Sequence, residues 1–206
     1  MPKRKKPQVT PRKTPQQARS SDLVGAILRA AIRVLQRDGA AGFTTIKVAK
    51  QAGVSVGSLY QYFPNKESIL FRLQADEWDI TARLLNGILS DGERSAPERL
   101  RAATHAFFRT ELEEAPLRRA LGDAAPLYRE AEPARAHRER GLPVLSRVLA
   151  EAAPQLSAKR RAFAAELYIT VLASVGERIS ETVQSALQLE TWSDAVADMF
   201  LAYLRE

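Results

Sequence analysis

The chain has 206 residues, no cysteine and two histidines, His105 and His137, which excludes disulfides, zinc–thiolate centres, iron–sulfur clusters and a Cys nucleophile, and leaves almost nothing for a multi-histidine metal site. Its formal charge of +7 is uneven: residues 1–66 carry 13 Lys and Arg against two acids, whereas residues 67–206 carry 18 against 22. A small basic part joined to a larger, mildly acidic one points to a polyanion met by the first third; the plain alternative is a solvated basic tail.

Residues 1–19, MPKRKKPQVTPRKTPQQAR, hold seven basic residues, four prolines and no acid. They lack the apolar surface to offset the entropy of ordering and read as a disordered basic arm, of the kind that lies along DNA when its domain docks. No roughly 7–15-residue apolar stretch follows, so this is not a secretory signal, and no apolar run approaches the ~20 residues of a membrane span. A soluble, cytoplasmic protein is expected.

A helix is predicted from Ser20 or Ser21, with Val24, Ile27, Leu28, Ala31, Val34 and Leu35 at helical spacing and Gly39 just past its end. Two short helices follow. Thr44 is placed to cap the first, Thr45–Ala52, with Phe43 and Val48 as a hydrophobic staple. Gly53 permits the turn, and Ser55 is placed to cap the second, Val56–Phe63, with Val54 and Leu59 as staple. Asn65 then caps a long helix, Lys66–Ser90. Beyond the Asp91-Gly92 turn come a helix over Pro97–Glu114, a short piece over Pro116–Leu121, and a stretch from Pro126 to Ala153 broken near Pro133 and Gly141–Pro143. A long striped helix over Ser157–Leu187 and a last one over Trp192–Arg205 complete the chain. No segment alternates with period two for long enough to be a strand, so the class is all-α. Its parts are an arm (1–19), a helix-turn-helix domain (20–65) and a helical domain (66–206).

Helix, glycine-containing turn, helix is the plan of a unit that inserts its second helix into the major groove. Short side chains at the start of that helix let the backbone approach base edges in a groove ~12 Å wide. Ser55, Val56, Gly57, Ser58, Gln61 and Tyr62 are expected to face outward, and Lys47, Lys50 and Lys66 flank the unit as phosphate contacts. An ordinary αα corner is the alternative.

The stretch TTIKVAKQAGVSVGSLYQYFPNKESIL, Thr44 to Leu70, resembles the DNA-binding signature of TetR-family transcriptional regulators. Ala49, Ala52-Gly53-Val54-Ser55, Gly57, Tyr60, Tyr62-Phe63, Lys66-Glu67 and Leu70 carry the likeness, and Ala30-Ala31 and Gly39 fit it upstream. Val48 stands where isoleucine is usual. The resemblance covers residues 23–70 and implies a homodimer on a palindromic DNA operator, acting as a repressor that a small-molecule effector releases. It assigns Thr44, Thr45, Tyr60, Tyr62 and Lys66 to phosphates, and Ser55, Val56, Gly57, Ser58 and Gln61 to bases; Tyr60 has a second reading as partly core.

The same resemblance implies an effector pocket in the helical domain, with Trp78, His105, Phe108, Tyr128, Glu166 and Tyr168 as candidate lining; the alternative for each is simple core. The last two helices are the expected dimer clamp, through Leu167, Val171, Leu172, Val175, Ile179 and Val183 on one and Val196, Met199, Phe200 and Tyr203 on the other, unless both stripes face their own core. A fold of this type that answers to a protein partner, as a nucleoid-associated or cell-division adaptor does, is the second functional reading. An enzyme is not expected, because there is no nucleotide loop, triad or HExxH, and Glu111, Glu113 and Glu114 read as a solvated helix end. No cofactor or metal is expected.

Overall fold

The computed structural model describes residues 18–128, 142–183 and 185–205. Among them are nine α-helices and no strand: α1 (Ala18–Gly42), α2 (Thr45–Ala52), α3 (Val56–Tyr62), α4 (Lys66–Leu89), α5 (Ala96–Glu113), α6 (Ala115–Ala124), α7 (Leu142–Ala152), α8 (Ala158–Thr182) and α9 (Ala186–Tyr203). A 3-10 turn, Ala125–Leu127, follows α6. None of these helices is long and apolar enough to cross a membrane. Of the arm expected over 1–19, residues 1–17 lie outside the described residues, as does the break expected at Pro133, while Ala18 and Arg19 are helical, the first turn of α1.

The chain divides into two compact units. The first comprises residues 18–78 and 116–128; the second comprises 79–115 together with the described residues from 142 onward. α4 gives residues to both. In the first unit α1 packs on α2 and α2 on α3. Leu35, Phe43, Val48, Leu59, Phe63, Ile69 and Leu70 are almost wholly buried there, each such side chain contributing ~1.5–3 kcal/mol of apolar burial. Leu121 and Ala124 of α6 and the Tyr128 ring join the same core.

α5 is the hub of the second unit, packed against α7, α8 and α9. α8 crosses it closely at Gly176, where a Cβ would lie 2.8 Å from Glu111 Cγ and 2.9 Å from the Phe107 ring. Glu111, expected in a solvated helix end, is therefore buried: the glycine draws a second helix over it.

Helix starts follow their caps. Ser68 N donates to Asn65 Oδ1 at 2.8 Å, starting α4. The Glu98 carboxylate accepts from both Ser95 N and Ser95 Oγ at the head of α5. Several boundaries differ from expectation. α1 begins at Ala18, so Ser20 and Ser21 lie inside the helix and not at its N-cap. Gly39 has φ 68° and breaks the helix as expected, but Ala40–Gly42 resume helical geometry beyond it. The stretch after Pro126 opens as the 3-10 turn. Finally, α8 stops at Thr182, and α9 starts at Ala186, where Ser185 Oγ accepts from Gln188 N.

Candidate nucleic-acid interface

α2 and α3 stand as the local sequence dictates. Thr44 Oγ1 accepts from Lys47 N at 3.3 Å, and Gly53, at φ 71°, ends α2 in the left-handed region that favours glycine. Ser55 Oγ accepts from Ser58 N at 3.0 Å and lies 2.8 Å from Ser58 Oγ. The start of the second helix is thus pinned by side chains on its exposed end.

On α3, Ser55, Gly57, Tyr60 and Gln61 are exposed, while Val56 and Ser58 are half-buried. Leu59 and Tyr62 lie on the inner face, three residues apart, and both are buried in the three-helix core. Tyr62, expected to face outward, is thus turned inward: it shares the apolar stripe of Leu59, and burying that ring completes the stripe. Tyr60 is the exposed tyrosine.

Thr45 is buried, and its Oγ1 lies 3.0 Å from Tyr60 Oη. The two residues expected to meet phosphates separately form one unit, in which the inner threonine sets where the outer phenol stands. Gly57 differs from Gly53. Its φ is not positive, and a Cβ there would meet only Ser55 Oγ, at 3.8 Å. Nothing near it in the described residues demands a glycine at this position.

Lys47 is engaged on two sides. Its ammonium donates to Asp38 Oδ2 at 2.8 Å and to the Gly42 carbonyl at 2.9 Å. Hydrogen bonds from Arg37 and then Lys47 hold the Asp38 carboxyl well below the ordinary carboxylate range. Asp38, one of only two acids before residue 67, is the residue that sequence reasoning missed here; an acid within a basic segment was its one signal. Lys50 is exposed at the end of α2 and Lys66 is half-buried at the head of α4.

The six candidate effector residues divide between the units. In the first, Trp78 packs partly buried against the core, and Tyr128 is buried, its Oη 3.1 Å from both Gln74 Oε1 and the Leu121 carbonyl. In the second, Phe108 and Tyr168 are core. The Tyr168 hydroxyl donates to the Leu100 carbonyl at 3.0 Å and lies 2.9 Å from Thr104 Oγ1; burial pushes both tyrosine phenols above their usual range. His105 Nε2 sits 2.9 Å from Asp194 Oδ1, beside the Arg101 pairs with Asp194 and Asp198 that fasten α5 to α9. Glu166 is exposed.

The expected dimer stripes face inward. Leu172, Ile179, Val183, Val196 and Phe200 are buried in the second unit's own core, and Val171, Val175 and Tyr203 pack against it. Of the residues named for that role, Met199 is exposed, at 55%. The large apolar side chains left outside on these two helices are Phe163 and Ile169 on α8, and Leu187, Trp192 and Met199 on α9. Trp192, Ala195, Met199 and Ala202 recur at i, i+3, i+7 and i+10, all exposed on one stripe. α9 is apolar on two sides, and its inner side closes the protomer.

Residues 27–73 match the family model of bacterial regulatory proteins of the tetR family, and residues 96–206 match that of the tetracyclin repressor-like C-terminal domain. The nucleoid occlusion factor SlmA of Vibrio campbellii is 38% identical over 80 residues, covering 38% of this chain and 40% of that protein; the chain thus matches less than half the length of this relative. Among solved structures, the fatty acid degradation regulator FadR from Bacillus halodurans superposes with a TM-score of 0.70 at 19% identity, over 91% of this chain and 97% of the other. FadR from Bacillus subtilis in complex with stearoyl-CoA gives 0.67 at 20% identity, over 86% and 97%. With the capped helix-turn-helix matched at one end and the C-terminal model matched over more than half of its length, the chain belongs to the TetR family of DNA-binding transcriptional regulators.

Proposed function

We propose that the protein is a ligand-responsive repressor that grips a palindromic operator as a homodimer. The observation that carries this reading is α3: a short helix pinned at Ser55, with Gly57, Tyr60 and Gln61 exposed and a glycine that the fold itself does not require. In this reading Ser55, Val56, Gly57, Ser58 and Gln61 meet base edges. Thr44, Tyr60 and Lys66 meet phosphates, Thr45 positions Tyr60, and Lys47 braces the α1–α2 junction through Asp38. The exposed apolar stripe of α9, with Phe163 and Ile169 of α8, supports pairing of the last two helices about a two-fold axis, since a patch of that kind on a protomer marks an interaction surface.

Selecting bound duplexes from a random pool with the full-length chain tests the proposal. Two inverted half-sites about 34–36 Å apart are expected; a single half-site, or no sequence preference, counts against it. Compounds are then screened for release of the selected operator, beginning with stearoyl-CoA, the ligand of the Bacillus subtilis FadR structure. The match to a nucleoid occlusion factor favours a second reading, in which the C-terminal domain answers to a protein partner. Mapping sites on the chromosome separates the two: one or a few promoters for the repressor, many dispersed sites for the alternative.

A further inference from the structure

A cleft of about 320 Å³ opens in the second unit, lined by the end of α4, the start of α5 and one side of α7. Arg99 and Arg147 stand in it with Glu151, Ser90, Leu89 and Val144. Arg99 is buried, its side chain one-tenth exposed, which is rare for arginine. Its Nη1 donates to the Leu89 carbonyl at 3.0 Å, and its Nη2 donates to the Glu151 carboxylate. The Nε–H is buried and has no partner among the described residues.

Nε–H and Nη2 project from the same edge of the guanidinium plane. That edge is the one a carboxylate or phosphate grips with two parallel hydrogen bonds. Glu151 takes only half of it, and does so from a side chain that is itself more than half exposed. A buried donor without an acceptor costs free energy, and such an orphan calls for an explanation, an unseen ion among them. Arg147, four residues before Glu151 on α7, is exposed and makes no ion pair with another described residue. The cleft thus holds two cations against one carboxylate. Leu89 and Val144 give it apolar wall, and its volume falls at the small end of the roughly 300–1,000 Å³ of organic ligand sites.

We propose that this cleft binds a small organic oxyanion, a short-chain polycarboxylate or phosphate monoester, whose oxygens take the Nε–Nη2 edge of Arg99 in place of Glu151 and pair with Arg147. Glu151 is then a competitor for the site and swings out when the ligand enters. None of the six candidate effector residues lines the cleft, so the proposal stands independently of operator release by an effector.

Calorimetric titration of the full-length protein with citrate, succinate, glycerol phosphate and inorganic phosphate tests it. At least one organic anion binds once per protomer and more tightly than inorganic phosphate, and the anion preferred identifies which oxyanion class the site takes. Arg147→Gln weakens that binding about tenfold or more, the scale of one hydrogen bond to a charged group. Glu151→Gln tightens it severalfold, because a neutral amide competes less well for Arg99 while still offering its carbonyl to hold the fold. Arg109→Gln, on the exposed side of α5, changes nothing. Circular dichroism confirms that each variant is helical. Three results overturn the proposal: no organic anion binds at millimolar concentration, inorganic phosphate binds as tightly as the organic anions, or the Arg147 and Glu151 variants shift affinity in the same direction. The first and third of these leave Arg99–Glu151 as a structural ion pair only.

Discussion

Gly57→Ala separates folding from DNA binding with a single methyl group. The residue is the second of α3, exposed, with φ outside the left-handed region and only Ser55 Oγ near an added Cβ, at 3.8 Å. Alanine is about 0.8–1.0 kcal/mol more favourable than glycine in a helix interior, and less so near a helix end. The variant is therefore expected to be more stable by up to about 1 kcal/mol, a rise of ~2–4 °C in Tm at most for a chain of this size. On the DNA the sign reverses. In the docking proposed above, the methyl stands on the surface shared by Ser55, Ser58 and Gln61 and is expected to hold α3 away from the base edges. A retreat of ~1 Å carries hydrogen bonds past their ~3.2 Å limit, and losing two base contacts costs roughly 2–6 kcal/mol. Thermal melts followed by circular dichroism, with fluorescence anisotropy on the selected operator, read both quantities from one preparation. Operator affinity equal to the parent's refutes the placement of Gly57 at the DNA; a fall in Tm refutes the argument that the fold tolerates a side chain there.

Met199→Glu is expected to give a folded protein that sediments as a monomer, whereas Ile179→Glu puts a charge at a position 1% exposed and unfolds the second unit, at a cost above ~4 kcal/mol. A folded Met199→Glu dimer moves the interface elsewhere. Lys66→Ala should weaken binding evenly across operator variants, because phosphates carry no base identity, while Gln61→Ala changes the preferred sequence by ~1–3 kcal/mol at one position; equal profiles in a binding-site competition assay reverse those roles. Gly176→Ala overpacks the α5–α8 crossing and costs ~1–3 kcal/mol in a denaturant titration, and an unchanged midpoint means that Phe107 and Glu111 give way freely. Asp38 is held below its ordinary value, so its stabilising pairs with Arg37 and Lys47 are complete above its unfolded value of about 3.9 and are lost as pH falls through the lower folded one. The Tm advantage of the parent over Asp38→Asn should accordingly shrink on acidification below that point and be constant above it.

Helix starts in this chain were legible wherever a cap is a local matter. Thr44, Ser55 and Asn65 each lie within three residues of the N–H they satisfy, and Gly53 carries its own conformational signal. The start of α9 carried a signal of the same kind that helical periodicity obscured. Ser185 followed three residues later by Gln188 is a capping pattern, but the apolar residues on either side continue the stripe of α8, and the predicted helix ran through the break to Leu187. The boundary is set by the Ser185 cap and by Val183 leaving helical geometry, and neither disturbs the count of apolar residues.

Facing is a different matter, because it depends on what else packs nearby. In α3 the two tyrosines are separated by the Leu59 stripe: Tyr62 lies three residues on and is buried, Tyr60 lies one on and is exposed, so spacing alone had the information once Leu59 was known to be core. In α8 and α9 spacing does not decide. Val196 and Phe200 make one apolar stripe, Trp192 and Met199 another, and either closes a protomer equally well by pattern. The choice is made by α5, whose Phe108, Ala103 and Leu100 lie in the same core as the first stripe, and whose Arg101 and His105 reach Asp194 and Asp198 at its margin. That leaves Trp192 and Met199 outside by exclusion. Glu111 illustrates the same limit from the polar side. Nothing around residue 111 marks it as buried; the signal is a glycine 65 positions later whose missing side chain lets another helix settle on it.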